Sequence, residues 1–372
     1  MMMFLRKQQA LRVLSLICCL ALFAFEVTNG FTIAPSTVIE YPSCRHRHHD
    51  TNSKSLYLTL ISSSSLWSSS STLEQSNDFG TIPVKEGTVS VTRGKDQSEE
   101  FNISYNLVRP MSLSSRQAAP IVVLHGGPSL PSNYCFPLAK HIPYRSILFY
   151  DQLGCGKSDQ PTNIEYYSID QAVDDLQNLL ERLNIRRFHL YGQSYGGILA
   201  YEFLKRYAEK DGNNDDYNNR GGRGEDEGCL SVILSSAPTN IQRMEDDWAA
   251  MIEALPGPDL FRETHLCRTP EIPQPLQDSY DNVGTIWSGT TAISDYRAKP
   301  VEPKDESKFM PSALILRGEY DVVTECCSKD WKALFHSRSV REKTLPDCSH
   351  HGLLENGSMY GDVVDSYFGE YD

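Results

Sequence analysis

Five short, continuous apolar runs constrain this chain more than any other feature: Ile121–Leu124, Ile147–Tyr150, Phe188–Tyr191 (which includes His189), Val232–Leu234 and Ala313–Leu316. A strand that is apolar at every position has both faces covered, the condition of a parallel sheet flanked by helices. Helical patterns lie between the runs, notably Ile169–Leu183 and Gly197–Tyr207. Strand alternating with helix predicts an α/β fold with a doubly wound, mostly parallel sheet. Upstream, Glu99–Leu107 alternates, with Phe101, Ile103, Tyr105 and Leu107 on one face, and reads as a half-buried strand partnered by Ile82–Thr92. Two segments interrupt the alternation. Residues 210–228 are polar and Gly/Asn-rich, with too few apolar side chains to order themselves, and are expected to form a disordered surface loop. Residues 240–308 carry a helix-like stretch, Met244–Leu255, and several prolines between two sheet strands, which suggests a lid. The expected organisation is therefore a core over 72–239 and 309–372 with a cap at 240–308.

The first 71 residues differ in kind. They hold six Lys/Arg against three acids, whereas the whole chain of 372 residues has a net charge of −13. A basic start followed by the apolar run Leu11–Phe25 reads as a signal peptide over residues 1–30, with an uncleaved anchor as the alternative. Residues 31–71 open with Phe31 and are serine-rich and poor in acids, the composition of a transit peptide. A signal peptide joined to a transit peptide that begins with Phe resembles the two-part presequences of algae with complex plastids. The alternative is a secreted protein with a serine-rich linker. Seven cysteines follow residue 72, an odd number without framework spacing, which suits free thiols in a reducing compartment. The acid excess argues against nucleic acid as a partner, since displacing phosphate counterions needs a basic face. No apolar run reaches the roughly 18–20 residues of a membrane-spanning helix, so the mature form is not expected to associate with membranes.

The chemistry is concentrated in four places. Gly192-Gln193-Ser194-Tyr195-Gly196 is a G-x-S-x-G directly after a buried-strand pattern and directly before a helix, the context of a nucleophile elbow. A serine hydroxyl needs a base, and the base an orienting carboxylate, in the chain order Ser, acid, His. Asp321 lies just beyond the strand Ala313–Leu316, with Glu319 its nearest competitor. His350 and His351 both follow the probable strand Lys343–Leu345, and both are candidate bases. Finally, Ile121–Leu124 runs into His125-Gly126-Gly127-Pro128, whose glycines let backbone N–H groups approach a developing alkoxide. One oxyanion donor is expected from the Tyr195 amide and the other from a glycine amide of this loop; His125 reads as structural. Asp151–Ser158 ends like a phosphate-binding loop, but the position that motif reserves for glycine is Asp151, so nucleotide binding is not expected.

Together His125–Pro128, Tyr150–Ser158, Gly192–Gly197 and Gly318–Asp321 resemble, in order, the proline iminopeptidases, α/β-hydrolase-fold serine peptidases with a helical cap. The resemblance spans roughly residues 80–370. It implies Ser194 as nucleophile, Asp321 as orienting acid, His350 as base, and Gly127 and Tyr195 as backbone oxyanion donors. It implies no metal and no organic cofactor, and the mature chain shows no metal-ligating set; the His46, His48 and His49 cluster lies in the presequence.

Three departures from the family pattern bear on substrate. Ser129 stands where the family's loop usually has a fifth-position glycine. Val322 stands where a carboxylate commonly follows the catalytic aspartate and helps bind the substrate's amino group. Ser288–Ala292 has no acid where the family's cap carries a second glutamate. Each charge-assisted hydrogen bond contributes about 1.5–3 kcal/mol. Losing two removes the basis for preferring a free N-terminus while leaving acyl transfer intact, unless another cap acid (Glu245, Asp246, Asp247, Glu263 or Glu271) substitutes.

Three functions are thus expected in order: a proline-iminopeptidase-type hydrolase acting on small peptides, an esterase or amidase acting on small substrates without a free amine, and a non-catalytic binding module. Retention of all three triad residue types argues against the last. The presequence reading is tested by a fluorescent fusion of residues 1–75, expected to reach the plastid; retention in the secretory pathway overturns it.

Overall fold

The computed structural model describes residues 82–110, 118–209, 228–257, 260–302 and 310–372. The signal and transit segments (1–71) lie outside the described residues. So does the polar stretch 210–227, whereas Gly228 opens a strand.

Strands β1 (Val84–Arg93) and β2 (Glu99–Val108) form an antiparallel hairpin, and β3 (Ile121–Leu124) and β4 (Ile147–Tyr150) follow. Helix α1 (Ile169–Arg182) leads to β5 (Arg187–Gln193), α2 (Tyr195–Glu209) and β6 (Gly228–Ser235). Helices α3 (Ile241–Ala254) and α4 (Gln274–Asp281) precede β7 (Ser312–Gly318), β8 (Val340–Leu345) and α5 (Gly357–Gly369). These strands make one eight-stranded sheet in the order β1-β2-β4-β3-β5-β6-β7-β8. Only β1–β2 and β2–β4 pair antiparallel; every later pair is parallel.

The apolar runs sit where two-sided burial requires them. Ile121, Val122, Val123 and Leu124 have no exposed surface, and their side chains divide between two core layers on opposite faces of the sheet. On one face, α1 buries Val173, Leu176, Leu179 and Leu180 at helical spacing, and the Ser168 side chain caps its N-terminus by accepting from the Gln171 amide. Asp175 on the same face is buried with Arg93 in a two-pronged ion pair at 2.9 and 2.6 Å, which satisfies both charges. On the other face, α5 packs Tyr360, Val364, Tyr367 and Phe368.

Sequence order reverses around β3, because β4 lies on one side of it and β5 on the other. Open α/β sheets usually place their ligand in the crevice at such a switch point, outside the carboxyl ends of the strands, here those of β3 and β5. The segment between β6 and β7 leaves the sheet at Asn240 and returns at Arg297. Those two residues form an antiparallel bridge, flanked by Ala298 N to Thr239 O at 2.8 Å. The insertion is thus closed at its base and rises over the crevice as α3, a wide π-type turn at Arg262–Leu266, α4 and a 3₁₀ turn at Thr290–Ile293.

At the opposite end of the sheet, His189 has no exposed surface. Its ring bonds Ser231 Oγ at 2.9 Å and Asp372 Oδ1 at 3.2 Å, and Asp372 accepts two further bonds from Arg145 at 2.7 Å. Burial pushes His189 down from 6.5 to about 4, outweighing the opposing pull of Asp372. The fold therefore favours the neutral ring, and its contribution is complete above about pH 6.5 and drains away as pH falls towards 4, because the unfolded chain takes the proton first. Urea titrations between about pH 7.5 and pH 4.5 should show stability falling with acidification, with a shallower slope in His189→Gln. An identical slope in that variant counts against the assignment.

Candidate active site

The β5–α2 turn reverses the chain within a single residue. Ser194 has a left-handed φ of 54°, and its amide donates to Ser235 O of β6 at 2.8 Å. Helix α2 begins at Tyr195, two residues earlier than the pattern predicted, because the reversal is completed within Ser194 itself. A Cβ added at Gly196 would stand 1.9 Å from Leu124 O, so only glycine allows the first turn of α2 to touch the end of β3. This presents the half-buried Ser194 at a helix N-terminus, where developing negative charge is favoured.

The loop after β3 faces it. Gly127 has φ of 113° and precedes a cis bond to Pro128. Among the described residues, neither the Gly127 nor the Tyr195 amide has a hydrogen-bond partner, so both expected oxyanion donors are unengaged. The Gly126 amide, in contrast, is taken by Tyr134 Oη at 2.7 Å. His125 is fully buried: Gln152 N donates to its Nε2 at 2.9 Å, which leaves Nδ1 to donate to Gly126 O at 3.0 Å. Both ring nitrogens are used, and burial pushes its pKa down, so His125 is structural. Asp151, the residue that broke the phosphate-loop pattern, accepts from Ser132 N, Ser132 Oγ and Lys157 N and braces the same loop. Ser129 adopts φ of 68°, a conformation glycine takes freely, and donates from Oγ to Trp287 O of the insertion at 2.7 Å.

At the carboxyl ends of β7 and β8 the structure separates the competing candidates. Asp321 is 4% exposed. Its Oδ1 accepts from Val323 N at 2.9 Å and from His350 Nδ1 at 2.8 Å. A carboxylate only accepts, so the His350 proton is on Nδ1 and Nε2 keeps the free lone pair a base needs. Glu319 is exposed and accepts from Asp347 N instead. His351 is buried with its ring edge against Tyr134, and burial, reinforced by His350, pushes it well below its ordinary pKa. The Ser194 hydroxyl has no hydrogen-bond partner among the described residues. In unliganded sites the nucleophile–base bond is often long and tightens only around substrate.

The insertion holds these loops by their backbones. His350 N donates to His265 O at 3.2 Å, His351 N to Leu266 O at 3.0 Å, and Trp248 Nε1 to Val322 O at 3.2 Å. Val322 has no exposed surface and packs with Tyr195, Ile241, Met244, Phe261 and Ile293. Of the acids that stood to replace the missing carboxylates, Asp247 is engaged by Thr324 Oγ1 at 2.6 Å, Glu263 by Arg262 at 2.7 Å and Asp246 by Gln242 at 3.3 Å; Glu271 is exposed and Glu245 half-buried. Sequence reasoning did not single out Tyr134, Gln193 or His265. Gln193 lies inside the serine motif and was within reach of it; the other two carry no local signal.

Known proteins bear on this arrangement. Residues 119–256 match the α/β hydrolase fold family. The proline iminopeptidase of Lactobacillus delbrueckii subsp. bulgaricus is 33% identical over 284 residues, covering 67% of this chain and 89% of its own. The chain belongs to the proline iminopeptidase family. The proline iminopeptidase of Saccharolobus solfataricus is 28% identical over 317 residues, 77% of this chain and 95% of its own. The crystal structure of the Mycobacterium smegmatis proline iminopeptidase superposes with a TM-score of 0.58 at 20% identity, covering 77% of this chain and 98% of that one. This family member is a hydrolase of the α/β-hydrolase fold.

Among the described residues no helix is long and apolar enough to cross a membrane, and no cluster of His, Cys, Asp and Glu is arranged to hold a metal. Cys135, Cys155, Cys229, Cys267, Cys326, Cys327 and Cys348 are free thiols. The two histidines are told apart by substitution: His350→Ala should suppress fluorophosphonate labelling of Ser194 by about 10³-fold or more. His351→Ala should retain labelling and lower the denaturation midpoint; the reverse result would exchange their assignments.

Proposed function

We propose that the protein is a serine hydrolase that works through an acyl-enzyme on Ser194 and releases N-terminal, proline-like residues from small peptides. The observation that carries this is the 2.8 Å bond between buried Asp321 and His350 Nδ1, on loops at the same end of the sheet as the Ser194 elbow. His350 Nε2 takes the proton from Ser194 Oγ as the oxygen attacks the substrate carbonyl. The resulting oxyanion accepts from the Gly127 and Tyr195 amides, for which each donor is worth about 3 kcal/mol in comparable sites. His350 then returns the proton to the departing amine. Water, deprotonated by the same ring, attacks the ester and frees the acid and the serine.

A second reading changes the substrate and keeps the chemistry. Val322 follows the acid as a fully buried apolar side chain, and Asp247, on the helix above it, is already engaged by Thr324. Both features favour small esters or amides without a free amine. Rates on a Pro-arylamide, its N-acylated form and a short-chain arylester separate the two, with Ser194→Ala as control. The first reading expects the free amine to be preferred by about tenfold or more, the worth of one charge-assisted hydrogen bond. Equal rates on the free and acylated amides select the second.

A further inference from the structure

Three loops that must cooperate in acyl transfer are joined by one unbroken chain of hydrogen bonds, buried at Tyr134 and part-buried at its His350 end. Gly126 N donates to Tyr134 Oη at 2.7 Å, and Tyr134 Oη donates to Gln193 Oε1 at 2.7 Å. Gln193 Nε2 in turn donates to His350 O at 3.2 Å. The direction of every bond is forced. The His350 carbonyl can only accept, so Gln193 Nε2 faces it and Oε1 faces Tyr134; Oε1 only accepts in turn, so the phenol donates to it and accepts from the Gly126 amide. Tyr134 and Gln193 are 1% and 4% exposed, so the bond between them is shielded from water.

We propose that Tyr134 and Gln193 are positioning residues that set the oxyanion loop, the nucleophile and the base at one mutual spacing. The proposal rests on the acyl-enzyme reading above. Gln193 precedes Ser194, so the chain reaches the base from the nucleophile's own backbone. By engaging the Gly126 amide, Tyr134 anchors the residue immediately before Gly127 and leaves the Gly127 amide unengaged. The packing around this junction is close: a Cβ at Gly126 would lie 2.7 Å from Gln193 Oε1, 3.0 Å from Ser194 Cβ and 3.1 Å from Tyr134 Oη. Tyr134 is itself held from both sides. Its amide donates to Ser279 Oγ of α4 at 3.1 Å, and its ring meets the edge of His351. Burial pushes the phenol well above its ordinary pKa, so the proton the relay requires stays in place at working pH.

The test is steady-state hydrolysis of a short-chain arylester by the full-length protein and its Tyr134→Phe, Gln193→Met, double and Ser194→Ala variants. Tyr134→Phe and Gln193→Met should each lower kcat by about 10–100-fold with KM within about twofold, as expected when reacting groups are misplaced by a fraction of an ångström. The double variant should fall little further than either single one, because both break the same chain. Gln193→Glu keeps the acceptor for Tyr134 but loses the donor to His350, and serves if the methionine variant does not fold; it should show the same kcat loss. Single variants within about twofold of the parent, or strictly multiplicative losses in the double variant, overturn the proposal. Activity surviving in Ser194→Ala would instead overturn the acyl-enzyme reading on which it rests.

Discussion

The first turn of α2 lies so close to the end of β3 that no side chain fits between them, and most of the site follows from that contact. Bringing helix and strand together at Gly196 forces the chain to reverse within one residue, Ser194, whose left-handed backbone is held by its amide bond to Ser235. The same contact sets the loop after β3 beside the elbow, so two unengaged amides, from Gly127 and Tyr195, arise from separate elements of the sheet. A looser packing of α2 would carry the Tyr195 amide away from that of Gly127. Preorganisation here is thus a property of helix-on-sheet packing, and the helix terminus adds its favourable field at no further conformational cost.

The insertion does more than cover this crevice. It accepts from the backbone of the base loop at His350 and His351, and donates to the acid loop through Trp248 to Val322 and His265 Nδ1 to Tyr320 at 2.8 Å. It also receives the Ser129 hydroxyl at Trp287 and holds Tyr134 through Ser279. Loops at the carboxyl edge of a sheet leave backbone groups without ladder partners, and these must be satisfied when buried. Here the insertion supplies those partners, so its placement is coupled to that of the loops carrying Asp321 and His350.

Much of the architecture could be read locally. Two-sided burial leaves its mark as continuous apolar runs, and β3 and β4 have the bounds that the pattern predicted. Longer strands extend past their apolar cores: β6 begins at Gly228 and β8 at Val340, because ladder bonds continue through polar residues that carry no hydropathy signal. The elbow was legible because its glycines are demanded by geometry, and the acid because it follows a strand end.

What the residues alone determined were the alternating fold, the serine turn and the short lists of acids and bases. Choosing within those lists took three dimensions. Asp321 and Glu319 are two residues apart, as His350 and His351 are neighbours, and each pair shares one local sequence context. Only long-range packing decided which carboxylate turned inward to a ring and which ring turned toward that carboxylate. The relay through Tyr134 and Gln193 was hidden for the same reason, since a hydrogen bond across 59 residues leaves no periodicity in the chain to find.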